Sequence, residues 1–260
     1  GAEGIFFSDA HSPSALCTPT RYGIITGRYC WRTRIKSGVC WGYSKHLIEP
    51  ERMTVASLLK SQGYKTACIG KWHLGMDMPT RAGGIIQEGH AAVDQRAYLG
   101  DIDWNGRIEN GPLALGFDHF YGISASLDMH PYIYIEDDRF VGECTTEQDL
   151  LFITRDYRPE RYGDNSGPAH ADFVAEEVLP VITRNTVDYI DEQSHDSPFF
   201  ACMSLTAPHI PIVPSSAYQG VSDLGPYGDF CIEVDDSIGK VLDALDRNGF
   251  AENTLVIFTA

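Results

Sequence analysis

Cys17, Pro19 and Arg21 stand two residues apart at the start of a short helical pattern, Cys17-Thr-Pro-Thr-Arg21 running on into Tyr22-Gly-Ile-Ile-Thr-Gly-Arg28. A thiol at such a place lies in the field of unpaired backbone N–H groups, which favours anions. Thr18 is predicted to cap the helix, with Pro19 at its first position, where the missing N–H costs nothing. Ile24 and Ile25 are expected to bury one side, and Gly27 to end the helix. Arg21, one turn in, adds a permanent positive charge on the side of the thiol. These surroundings lower a thiol pKa or hold a tetrahedral oxyanion. A small buried cysteine beside a capped helix is the plainer alternative.

The other reactive side chains come from strand ends. Thr54–Gln62 reads as a helix closed by Gly63, and Tyr64–Ile69 as a compact apolar strand, followed by the polar loop Gly70-Lys-Trp-His-Leu-Gly75. Helix, glycine turn, buried strand and polar loop are the units of a doubly wound, mostly parallel α/β sheet with helices on both faces. In such sheets the loops beyond the strand C-termini carry the ligands, which brings Lys71 and His73 to the working edge. A second helix is predicted from Pro180, a buried strand over Phe199–Leu205, and a third helix over Phe230–Leu245 closed by Gly249. The strand at 199–205 delivers Pro208-His209 to the same edge. Ile5–Phe7 and Leu255–Thr259 read as further strands, the latter buried. Residues 76–167 lose the periodicity and read as an irregular substrate-side insertion within one domain spanning 1–260. Ile123–His130 approaches the pocket from that segment.

Bulk properties narrow the field. A formal net charge of −16 across 260 residues argues against nucleic acid as a partner and against anionic membranes. No apolar run is long enough for a membrane span. Within this acidic chain Arg28, Arg32, Arg34 and Lys36 form a basic cluster, read either as an attractor for an anionic substrate or as a solvated face. Seven cysteines include no Cys-x-x-Cys pair, so a zinc knuckle is not expected. Cys30 and Cys40 are spaced to allow a bridge, while Cys68 and Cys202 read as buried free thiols. Asp101, Asp103, Asp137 and Asp138 lack the glycine and terminal glutamate of an EF-hand loop and read as turn acids. Trp41, Trp104, Tyr132 and Tyr134 are candidate stacking surfaces for a sugar.

Cys-x-Pro-x-Arg followed by Thr26-Gly-Arg28 resembles the signature of the type I sulfatases, in the alkaline-phosphatase superfamily. Gly70–Gly75, the aromatic block Phe117–Gly122, Pro208-His209 and Leu255–Thr259 also resemble family blocks. The resemblance implies that Cys17 is converted to formylglycine by a maturation enzyme reading Pro19 and Arg21. The hydrate then attacks the sulfur of a sulfated carbohydrate. Arg21 would hold the hydrate, Lys71 would bridge nucleophile and sulfate, and His73 would take the proton that lets sulfate depart. His209 would bind sulfate or assist the leaving oxygen, and Ser126 would line the site. Calcium or magnesium, ligated in part by Cys17 as formylglycine, would neutralise the sulfate. By the same resemblance the location would be periplasmic, secreted or lysosomal.

The remaining metal ligands of the family, an aspartate pair and an Asp-Asn pair, are expected upstream of Gly1 and beyond Ala260. The chain is thus expected to be a fragment of the catalytic domain, incomplete at both ends, binding metal poorly and turning over weakly. The alternatives are a phosphonate or phosphate monoester hydrolase of the same superfamily, and a non-catalytic binding homologue or truncated product. A plain cysteine hydrolase is disfavoured, because no histidine–carboxylate pattern accompanies Cys17.

Overall fold

The computed structural model describes residues 4–86, 101–150 and 166–259. Its centre is strand β1 (Lys65–Lys71), whose alternation sends Cys68 to one face and Ala67 and Ile69 to the other. β1 pairs in parallel with β2 (His119–Ile123) on one side and with β7 (Phe199–Ser204) on the other. Beyond β2 the short strands β3 (Ile135–Glu136) and β4 (Arg139–Phe140) turn back antiparallel, giving the order β4-β3-β2-β1-β7. β5 (Thr146–Gln148) and β6 (Gly167–Ala169) form a separate antiparallel pair. The segment expected to be an irregular insertion therefore supplies three strands of the main sheet; its parts at 87–100 and 151–165 lie outside the described residues.

Two hydrophobic cores flank the sheet. On one face, Tyr22 and Ile25 of α1 (Cys17–Thr26) and Ala56 of α2 (Val55–Ser61) pack with Cys68, Trp72, Phe117 and Phe120. On the other, Val178, Leu179 and Ile182 of α3 (Val178–Asp191) and Phe230 of α4 (Pro226–Arg247) pack on Ala67, Ile69 and Ile123. Helices on both faces of a mostly parallel sheet are the architecture expected from the sequence. At ~25 cal/mol per Å² of apolar surface, these two layers are the main source of stability. α2 begins with a reciprocal capping box between Thr54 and Ser57 and is followed by Gly63 at φ 86°.

One row across the sheet is nearly devoid of side chains. Gly70 faces Gly122 on one neighbour and Ser204 on the other. A Cβ on Gly122 would stand 1.8 Å from the carbonyl oxygen of Gly70, and one on Gly70 2.0 Å from that of Ser204. Gly70 also has φ 121°, a conformation L side chains rarely adopt.

Several expectations are corrected. α1 begins at Cys17 itself, behind Leu16, and Thr18 is not its cap. Thr18 is wholly buried and its hydroxyl is drawn to two backbone groups of other segments, which outcompete local capping. Ile24 is exposed and only Ile25 is buried. Helices α3 and α4 begin earlier than predicted, α4 with Pro226 in its first turn. β7 is half-buried along its length, because β1 pairs with it on one side only among the described residues. Neither Ile5–Phe7 nor Leu255–Thr259 forms a strand. Ile5–Phe7 and Leu255–Phe258 keep their apolar side chains exposed, having no ladder to join among the described residues. Cys30 and Cys40 do not form the bridge their spacing allowed, and none of the seven cysteines is in a disulfide. Trp104 and Tyr132 are core residues rather than sugar platforms, Trp104 packing edge-on against Phe140.

Candidate active site

α1 and the ends of β1, β2 and β7 meet at the C-terminal edge of the sheet. Cys17, half-buried, occupies the first residue of α1, where the first-turn N–H groups have no helical partners. Lys71, the last residue of β1, is 2% exposed and lies in the electrostatic neighbourhood of Cys17. Its Nζ donates 3.0 Å to Oγ of Ser126, which lies on the loop after β2. That hydroxyl lies 3.3 Å from Nδ1 of His209, on the loop after β7. Burial, with a smaller push from Arg21, pulls the Lys71 ammonium down to about 8, against the opposing pull of Cys17 and Asp128. The two arms of the sheet are thus joined through a lysine, a serine and a histidine.

Arg21 braces this edge from inside. One Nη donates 2.7 Å to the carbonyl oxygen of Lys71 and also to Oγ of Ser204, and the other donates 3.0 Å to the carbonyl oxygen of Leu205. Ser204 Oγ itself donates 2.8 Å to the Lys71 carbonyl. Both Nη groups therefore tie α1 to β1 and β7, and a grip on the nucleophile is left to Nε, to the second N–H of the Leu205-bound Nη, or to charge. Sequence reasoning missed Ser204, a small polar residue inside an apolar strand pattern with no motif around it.

His73 is 0% exposed and sits at φ 57°. Nε2 donates 2.7 Å to the carbonyl oxygen of Cys40, which fixes the tautomer and leaves Nδ1 as the lone-pair nitrogen. Nδ1 is buried without a hydrogen-bond partner among the described residues. Burial first, then the charges of Lys71 and Arg21, holds the imidazole pKa well below its ordinary value, so the ring is neutral at pH 7. Thr18 Oγ donates 2.8 Å to the His73 carbonyl and accepts 3.1 Å from the Cys40 N–H, clamping α1, His73 and the Cys40 loop together. Four residues further on, the buried carboxylate of Asp77 takes bonds from the backbone and ring of His46 and from Nδ2 of Asn110 at 2.7–3.2 Å.

His209 differs in every respect. Its side chain is 42% exposed. Nδ1 donates 2.7 Å to the carbonyl oxygen of Ile210, which leaves Nε2 as the lone-pair nitrogen of the neutral ring. The Asp128 carboxylate stands 3.9 Å from Nδ1. Asp128 was not singled out by sequence, although the segment holding it was expected near the pocket. Asp101, Asp103, Asp137 and Asp138 lie away from this edge in turns, where Asp137 caps Phe120 and Asp138 pairs with Arg107.

A family model described as Sulfatase matches residues 2–260. The chain belongs to the sulfatase family. It is 28% identical to an N-acetylgalactosamine-6-O-sulfatase of Bacteroides thetaiotaomicron, over 99% of this chain and 52% of that protein. Human N-acetylgalactosamine-6-sulfatase is 27% identical over 100% of this chain and 43% of its own length. Human arylsulfatase A is 29% identical, with 100% and 45% covered. A solved Bacteroides thetaiotaomicron structure from work on glycosaminoglycan metabolism superposes with TM-score 0.71 at 27% identity, covering 94% of this chain and 52% of that one. A Pseudoalteromonas sulfatase at 22% identity shares the fold, with TM-score 0.58. The chain spans about half the length of the sulfatases it matches.

Two groups implied by the family can be tested against these residues. Formylglycine fits, since Cys17 sits half-buried at a helix N-terminus beside Lys71, and a buried histidine nitrogen lacks a partner nearby. A calcium cage does not fit the described residues alone, among which no three His, Cys, Asp or Glu side chains gather closely enough to hold a cation. Among the described residues no helix is long and apolar enough to cross a membrane.

Proposed function

We propose that the protein hydrolyses sulfate esters of a carbohydrate, with Cys17 matured to formylglycine and a sulfated N-acetylgalactosamine as the substrate class. The observation that carries this reading is the Lys71–Ser126–His209 chain of contacts beside Cys17, with His73 locked behind it. The substrate class follows from the names of the relatives. When present, the formylglycine hydrate supplies the attacking oxygen and a way to release sulfate without water attacking sulfur.

The chain's own residues do the rest. Lys71, with Ser126 fixing its ammonium, faces the non-bridging sulfate oxygens and neutralises charge where it builds up. Arg21 holds the Lys71 backbone and α1 in register, which keeps nucleophile and ammonium at a fixed separation. His73, neutral and with Nδ1 unprotonated, accepts a proton at the Cys17 side chain. His209, in the form that carries a proton on both ring nitrogens, keeps Nδ1–H on the Ile210 carbonyl and gives its Nε2 proton to the oxygen of the leaving alcohol. The cation expected for the family has too few ligands in the described residues, and no step here depends on it.

The test uses the full-length protein expressed with a formylglycine-generating enzyme. Mass spectrometry should find the Cys17 peptide as aldehyde or hydrate, and 6-sulfated N-acetylgalactosamine should release sulfate. Cys17→Ala should lower kcat by about 10⁴-fold or more. Faster turnover of a phosphate monoester than of any sulfated sugar would transfer the assignment to the phosphatase side of the superfamily. An unmodified cysteine without sulfate release would make the protein a silent homologue.

A further inference from the structure

The segment after α1 carries a surface feature that the site itself does not use. Between Asp9 and Glu49 the chain has no acidic residue, while Arg21, Arg28, Arg32, Arg34, Lys36 and Lys45 fall there, in a protein of formal charge −16. Tyr29 and Trp31 lie in the middle of this stretch, 56% and 60% exposed. Their rings stack with centroids 6.1 Å apart and 18° between planes, and the Arg32 guanidinium lies 5.8 Å from the Trp31 ring centre.

The presentation is fixed by hydrogen bonds. Cys30–Arg32 form a single 3-10 turn. Thr33 Oγ donates 2.7 Å to the Cys30 carbonyl, Lys36 Nζ donates 2.8 Å to the Trp31 carbonyl, and Arg34 is tied to the carbonyls of Lys45 and His46. The same loop then returns to the site, where Cys40 accepts the hydrogen bond from His73. The ten residues of α1 set Cys17 about 15 Å from the end of the helix from which this strip departs.

We propose that this strip is a distal binding surface for a sulfated polysaccharide, engaging the polymer while one of its sulfate esters lies at Cys17. The inference rests on the sulfated-carbohydrate reading above. Stacked aromatic rings offer flat apolar faces to sugar rings, and the adjoining cations pair with sulfates. Of the charges Arg28, Arg32, Arg34 and Lys36, the exposed Arg32 and Lys36 suit this role, since Arg28 is half-buried in the field of Glu49 and Arg34 is spent on backbone carbonyls. Charge complementarity selects the occupant. A polyanion finds here a basic stretch with no acidic residue between Asp9 and Glu49 in an otherwise acidic protein.

The experiment measures binding and turnover separately in the full-length protein. Calorimetry on a Cys17→Ser background, with chondroitin sulfate as the probe, reads the surface whether or not the protein releases sulfate. Trp31→Ala and Arg32→Ala should each weaken binding about three- to tenfold, and Trp31→Phe should largely restore it. In the mature enzyme the same two variants should lower kcat/KM on the polymer and leave turnover of a sulfated monosaccharide unchanged. Unaltered chondroitin sulfate affinity in both variants overturns the proposal. So does equally tight binding of duplex DNA or of unsulfated hyaluronan. A lowered Tm for Trp31→Ala with binding unchanged also overturns it, because the rings would then be covered by protein. Loss of all sulfate release with polymer binding intact would sink the enzymatic reading and leave this one standing.

Discussion

His73 and His209 follow paired parallel strands, yet they are held in opposite ways. His73 is sealed from solvent, sits in the left-handed region, and has one ring nitrogen tied to Cys40 while its carbonyl is tied to Thr18. His209 is well exposed, and its shortest ring contact among the described residues is to the carbonyl of the next residue. The sealed ring is preset in tautomer and charge before any substrate arrives. The open ring keeps one nitrogen toward the mouth, where groups of different size must come and go. The two arms therefore divide the work: one fixes proton affinity and geometry, and the other meets the variable part of the substrate.

Four measurements break or sharpen this contrast. The largest effect is expected for His73→Ala, which should cost about a thousandfold in kcat with little change in KM. Equal losses in kcat and in substrate binding would mean that the buried ring only supports the pocket. His209→Ala should cost about a hundredfold on a sugar ester, and less on an aryl ester whose alcohol leaves without help. A loss independent of the leaving group would remove His209 from that end of the reaction and place it on the sulfate.

Thr18→Val keeps the shape but leaves the His73 carbonyl and the Cys40 N–H without their shared hydroxyl. It should cost about 2 kcal/mol of stability and roughly tenfold in kcat, readable from urea unfolding and steady-state rates. An unchanged rate would show that the His73 arm tolerates loosening as well as the His209 arm does.

The smallest effect concerns acid. Burial alone would raise the Asp77 pKa, but the donors from His46 and Asn110 outweigh it and leave the carboxylate below its ordinary value. A depressed folded pKa contributes stability in full above the unfolded value of about 4, and that contribution is lost as pH falls through the lower folded value. Urea midpoints measured from pH 6 to pH 2.5 should therefore fall less steeply in Asp77→Asn than in the parent. Parallel curves would mean that Asp77 does not anchor the His73 arm electrostatically.

The legible parts of the sequence were those where one local rule decides the outcome. β1, β7, α2 and α4 follow from hydrophobic period and glycine stops, and strand-end logic alone brought Lys71, His73 and His209 to one edge. Thr18 was misread because capping preference is local, whereas its hydroxyl is used by segments 22 and 55 residues away. Ser204 and Asp128 carry no pattern at all; only the fold shows what they face. Leu255–Thr259 has the composition of a buried strand, but composition specifies burial only where a partner edge is met. Trp104 and Tyr132 show the converse, since an aromatic in an irregular stretch is as readily a core residue as a ligand platform.

The bare row of Gly70, Gly122 and Ser204 limits how this sheet can be redesigned. Because a Cβ at Gly70 or Gly122 would meet the backbone of the neighbouring strand, a library aimed at new specificity has to treat these positions as fixed and draw its diversity from the loops downstream. A side chain placed at Gly70 or Gly122 would wedge two strands apart directly beneath Lys71, shifting both arms at once and erasing the contrast between them. The sheet thus behaves as a rigid jig, and novelty has to enter through the parts it holds.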